Sequence, residues 1–164
     1  MAPYFVLALG LGIAVVMDVR TRRIPNWLTA GIAAAGFGIA AGGGPISPLQ
    51  AAFGMLTGLL LMLPGHVIGA TGAGDVKLMA AVGAVLGTGS VVRAFLFTAL
   101  AGGVFAIIIA LRRGRLQQTV ADTTRLVTKP SVARVAIEAS NRANRFAYGP
   151  AIAAGTMLSM VVHS

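Results

Sequence analysis

Gly72-Ala73-Gly74-Asp75-Val76-Lys77-Leu78 is the stretch on which the fold turns. It sets a carboxylate and an ammonium between two long apolar runs, directly after the helix breakers Pro64, Gly65 and Gly69. An ionisable side chain at the edge of a membrane-type segment is costly to keep and marks a candidate site. One acid does not make a mechanism, so a partner is required. The acids to choose from are Asp18, Asp75, Asp122 and Glu138.

Composition says what surrounds them. Of the 164 residues, 57% are hydrophobic and 10% charged, with a mean hydropathy of +0.86. A soluble domain clothes itself with roughly 25% charged residues. Lipid is therefore the expected solvent, and the length allows one domain. The net charge is +9, from 13 basic and 4 acidic residues. The aromatics sit in apolar runs rather than among the basic residues, so the excess reads as a positive-inside bias and no nucleic-acid partner is expected. With no cysteine, disulfides, thiolate metal sites and a cysteine nucleophile are excluded. Neither a metal nor a cofactor is expected. His66 has no nearby histidine or acid in sequence and reads as packed or interfacial, and His163 as solvated.

Apolar runs of about 20 residues cross a bilayer, and shorter ones suffice where helices end early. Six are expected, at about Pro3–Val19, Trp27–Ala41, Pro48–Leu63 (extending towards Ile68), Val76–Leu86, Val91–Leu111 and Gly149–Val162. The first has its basic cluster after it rather than before, so it is expected to persist as a membrane helix and not as a cleaved signal. Pro25 makes a turn, Asn26 is placed to cap the second helix, and Trp27 suits the interfacial belt. The fourth run is short and reads as a tilted or partly submerged helix. With this order, Arg20, Arg22, Arg23, Lys77 and the eight basic residues of segment 112–148 share one side, leaving Arg93 opposite. The expected fold is an all-α integral membrane bundle of six transmembrane helices with both termini outside. Glycines four apart (Gly38 and Gly42, Gly54 and Gly58, Gly83 and Gly87) are expected to pack helices within one chain rather than form a dimer face. Segment 112–148 reads as amphipathic helices on anionic headgroups, divided at Pro130, or as a cationic tether.

This topology puts Asp18, at the end of the first span, level with Asp75, at the start of the fourth. Asp122 and Glu138 lie among arginines and read as surface groups. A carboxyl pair sharing one proton can hydrolyse an amide, one member activating water and the other polarising the carbonyl. Helix dipoles would favour the charge on Asp75 and the proton on Asp18, although the arginines after Asp18 oppose this. Gly72 and Gly74 allow close backbone approach by an extended peptide. Lys77 is placed to neutralise the site, to contact substrate, or to snorkel to the headgroups.

These residues resemble a known family. Gly72-Ala73-Gly74-Asp75 is similar to the GxGD signature of membrane aspartyl proteases. Asp75-Val76-Lys77-Leu78, Asp18 followed by Arg22-Arg23-Ile24-Pro25-Asn26, and Tyr148-Gly149-Pro150-Ala151 resemble the type IV prepilin peptidases, in particular short Flp or tight-adherence members. The resemblance implies a single membrane-embedded peptidase domain over 1–164, with a basic cytoplasmic segment at about 112–148. It implies cleavage of the basic leader from type IV, Flp-like prepilins at the cytoplasmic face of the bacterial inner membrane. Asp18 and Asp75 match the catalytic aspartates, and Gly72, Gly74 and Lys77 are the expected supporting residues. The partners implied are a prepilin, with its basic leader and apolar helix, and the lipid bilayer. Larger members carry paired CxxC motifs and also methylate the new N-terminus; without cysteine, methylation is not expected here. Two rival functions use the same residues: a small transporter or proton channel, and a non-catalytic subunit of a pilus or secretion assembly. The acids lie at one face rather than at mid-depth, and no inverted repeat is evident, which disfavours transport.

Overall fold

The computed structural model describes residues 2–69, 71–112 and 148–162. The expectations for segment 112–148, including Pro130, Asp122 and Glu138, fall almost wholly outside the described residues, as does His163. Six α-helices make up the described chain: α1 (Ala2–Thr21), α2 (Asn26–Ala41), α3 (Pro48–Val67), α4 (Ala73–Leu86), α5 (Thr88–Arg112) and α6 (Gly149–Val161). Each falls on one of the apolar runs.

Three of them, α1, α3 and α5, are long and apolar enough to cross a membrane; α2 and α6 are shorter apolar helices. Their outward faces carry large apolar side chains, among them Phe5 and Leu9, Phe53 and Leu60, and Leu96 and Leu100. Exposed apolar surface on this scale belongs against lipid tails, not water.

Helix α4 is the hub. It is short, at 14 residues, but ten of them are buried, and it touches all five other helices. The reason lies in its sequence. After Lys77 it has no polar side chain, and Ala80, Ala81, Gly83 and Ala84 leave it thin enough to be surrounded. A helix apolar on every side belongs in a core. The expectation of a partly submerged helix is thus corrected to a central one.

Glycine contacts set how closely α3 approaches it. A Cβ on Gly54 would run into the Gly83 carbonyl oxygen, one on Gly83 into the Gly54 carbonyl, and one on Gly58 into the Met79 carbonyl. The two backbones therefore touch, as small residues permit in membrane bundles. Gly38, in contrast, has open space around its missing side chain, so the Gly38–Gly42 pair packs nothing here.

Helix ends differ from expectation in three places. Pro64 and Gly65 do not stop α3, which continues to Val67; proline removes one donor, and the Pro64 carbonyl still accepts from the Ile68 N–H. Between α4 and α5 only Gly87 intervenes, at φ +77°, so the anticipated four-residue loop is a single left-handed glycine. Asn26 is the first residue of α2 rather than its cap; Pro25 takes the cap position with no side-chain bond. Helix α3 shows what a full cap looks like. Ser47 Oγ accepts from Gln50 N at 3.2 Å, and Gln50 Oε1 accepts from Ser47 N at 2.9 Å, with Pro48 at the first helical position.

Candidate active site

Asp75 lies in the first turn of α4, and its position is set by that helix's own start. Gly72 N–H donates to Asp75 Oδ2 at 2.9 Å, while Asp75 N–H returns a bond to the Gly72 carbonyl. The carboxylate thus satisfies a donor that the helix leaves unpaired. Upstream, His66 Nδ1 bonds the Thr71 carbonyl at 3.1 Å and Thr71 N–H bonds the Gly65 carbonyl, which folds the glycine-rich turn back onto α3. His66 is exposed, near the end of α3.

Asp18 lies in the last turn of α1. Arg22, with φ +52°, ends that helix by donating its N–H to the Asp18 carbonyl. The Asp18 side chain turns inward and is 6% exposed, close to the 7% of Asp75. Its Oδ2 accepts the Gly149 N–H of α6 at 2.8 Å, a contact across 131 positions of sequence. Only glycine fits there: a Cβ on residue 149 would lie 2.7 Å from Oδ2.

The two carboxylates are therefore held alike, each with Oδ2 on a backbone N–H at a helix N-terminus. This removes the basis for assigning the proton by dipoles, because Asp18 ends one helix and abuts the start of another. They come from α1 and α4 but sit at one end of the bundle, where the turn after α1 packs Ile24 against Gly74. Tyr148, just before Gly149, lays its phenol against Gly102 of α5.

Around this pair, the surface is cationic. Arg20, Arg22, Arg23 and Lys77 are all exposed. Lys77 does not pair with Asp75; its Nζ donates to Asn26 Oδ1 at 2.8 Å, tying the first turn of α2 to that of α4. Next to this tie, Ile24 packs where Gly74 has no side chain, with 3.1 Å between Ile24 Cβ and the position a Cβ would take. Gly74 is thus filled from within the chain, by the turn after α1. Gly72 remains exposed.

A separate cleft, bordered by Tyr4, Pro45, Ile46, Leu86, Ser90 and Ser159, lies at the other end of the helices and includes neither aspartate. Among the described residues no three His, Asp or Glu side chains gather as metal ligands would.

A family model described as the type IV leader peptidase family matches residues 5–107, which include both aspartates and the turn between α3 and α4. The chain belongs to that family. No curated protein and no solved structure matches it significantly. As a leader peptidase, the chain is a protease, and its apolar helices make it a membrane protein. The matched stretch stops short of Tyr148 and Gly149. In sequence, these two residues carried a resemblance but no role. The signal that could have assigned one is a glycine at the first position of a helix facing the end of another.

Proposed function

We propose that the chain is a membrane aspartyl endopeptidase that removes the leader from type IV, Flp-like prepilins at the cytoplasmic face of the bacterial inner membrane. All six helices span the bilayer in this reading, some of them short, with both termini outside. The observation that supports it is that Asp18 and Asp75, two buried carboxylates from different helices, lie at the same end of the bundle, each taking a backbone N–H at a helix N-terminus. The exposed arginines at that end suit the positive-inside side and its anionic headgroups.

The chemistry follows from one proton shared by two acids. With Oδ2 of each held by a backbone N–H, Oδ1 of each handles the reactants. The ionised carboxylate takes a proton from water as the water oxygen bonds to the scissile carbonyl carbon. The other carboxyl gives its proton to the carbonyl oxygen, leaving a neutral tetrahedral diol. Collapse returns the hydroxyl proton to a carboxylate, delivers a proton to the amide nitrogen and breaks the C–N bond. The leader departs with a new carboxyl terminus and the pilin with a new amine. Lys77, braced by Asn26, and the exposed Gly72 line the approach to this point.

The test is cleavage by the full chain in liposomes of anionic composition, presented with a prepilin bearing its leader. A mobility shift with one new N-terminus is expected, and none for a prepilin whose leader is already absent. No shift at any enzyme concentration would defeat the proposal. In the same assay Gly149→Ala is expected to lose about 10²-fold in kcat, because the new methyl displaces the Asp18 carboxylate by the order of an ångström. Unchanged kcat would mean that Gly149 does not set Asp18.

A further inference from the structure

Arg93 is set apart from Arg20, Arg22, Arg23 and Lys77. It lies in the second turn of α5, past the Gly87 turn, and so towards the far end of α4 from Asp75. Its side chain is half-buried. Nη2 donates to Ser90 Oγ at 3.1 Å, one turn back, while Nε is shut from solvent with no hydrogen-bond partner. The acids among the described residues are Asp18 and Asp75, both held at the opposite end. A cation near the start of a helix also faces the positive end of its dipole. Partial desolvation and a repelling helix end thus meet at one side chain, with one neutral hydroxyl to offset them. An arginine so placed in an apolar chain calls for an anion from outside it.

Ser90 also lines the cleft bordered by Tyr4, Ile46 and Leu86. Its oxygen accepts from Arg93, so its own proton is left for a second partner. The helix ends around the cleft expose Tyr4 and Phe5 of α1, Leu49 of α3 and Val161 of α6. A ligand there meets a cation and a hydroxyl on one side and hydrocarbon on the other. We propose that Arg93, Ser90 and this cleft bind an anionic diacyl phospholipid in the leaflet opposite the two aspartates. The phosphodiester takes the remaining guanidinium N–H groups and the Ser90 hydroxyl, and an acyl chain lies along Tyr4, Ile46 and Leu86. A net-negative headgroup fits better than a zwitterionic one, because no carboxylate among the described residues stands at this end to receive an ammonium. The site touches no reactant, and it stands whether or not the chain is a peptidase.

Phosphatidylglycerol with a photoactivatable acyl chain tests this on the full chain in neutral detergent, with cross-links mapped by peptide mass spectrometry. Labelling is expected on the residues of the cleft. Arg93→Gln keeps a polar side chain but removes the charge, and should cut that labelling about tenfold. Arg93→Lys should keep most of it. Labelling near Arg20, Arg22 and Arg23 should be equal in all three proteins, which also reports that the variants are folded. In the wild type, unlabelled phosphatidylglycerol should compete for the cleft and phosphatidylcholine should not, a measurement that needs no variant. Undiminished cleft labelling in Arg93→Gln, or equal competition by phosphatidylcholine, overturns the inference. Displacement by inorganic phosphate as readily as by phosphatidylglycerol would reveal a simple anion site and overturn the lipid assignment.

Discussion

Asp18→Asn and Asp75→Asn are each expected to cut prepilin cleavage by about 10³-fold or more, to background. Asparagine is nearly the same size, and its carbonyl oxygen can still accept the N–H of Gly149 or Gly72, so the helix ends should stay where they are. What it cannot do is exchange a proton. The loss should therefore appear in kcat and leave thermal stability within about 1 kcal/mol of wild type. Because the acids act as a unit, the double variant should be no worse than either single one. The readout is product formed per enzyme over hours at saturating prepilin. Substantial cleavage by either single variant would show that the two acids do not share the chemistry.

Gly83→Ala is expected to destabilise the protein by about 3 kcal/mol or more, since a methyl would have to enter the space of the Gly54 carbonyl. The obstruction is backbone against backbone, with no flexible side chain to turn aside. Helices α3 and α4 must separate, and α4 is the helix that all the others pack on. Gly38→Ala is the matched control. Nothing lies near that position, so the change should be neutral or raise stability by up to about 1 kcal/mol through helix propensity. Unfolding in graded denaturing detergent measures both. Equal behaviour of the two variants would contradict the close α3–α4 contact.

These two glycines show where sequence reasoning succeeds and where it stops. Spacing four apart marks both Gly38–Gly42 and Gly54–Gly58 as packing candidates, yet only the second lies between helices. Local spacing says that a face is smooth, not what it faces. The helices themselves were legible, because uninterrupted apolar runs bounded by glycine, proline and charge leave the backbone little alternative in lipid. Asp75 was legible as a lone acid in apolar surroundings, and Asp18 by matching depth. Its tether to Gly149 was not, since nothing local links positions so far apart. The central place of α4 was open to inference: small residues around its whole circumference signal burial, but shortness drew attention first. Pro64 and Asn26 were assigned by their usual habits; α3 instead runs through Pro64 to Val67, and the Asn26 side chain bonds Lys77 of another helix.

The central claim is that carboxylates from α1 and α4 act on one tetrahedral carbon. It is tested most directly by a leader peptide in which the scissile amide is replaced by a hydroxyl-bearing tetrahedral carbon, assayed as an inhibitor of prepilin cleavage. A true dyad should bind it at least about 10²-fold more tightly than the same peptide carrying a plain methylene there. That advantage should vanish in Asp18→Asn and in Asp75→Asn alike. Equal inhibition by the two peptides, or an advantage that survives loss of either aspartate, would contradict the shared site.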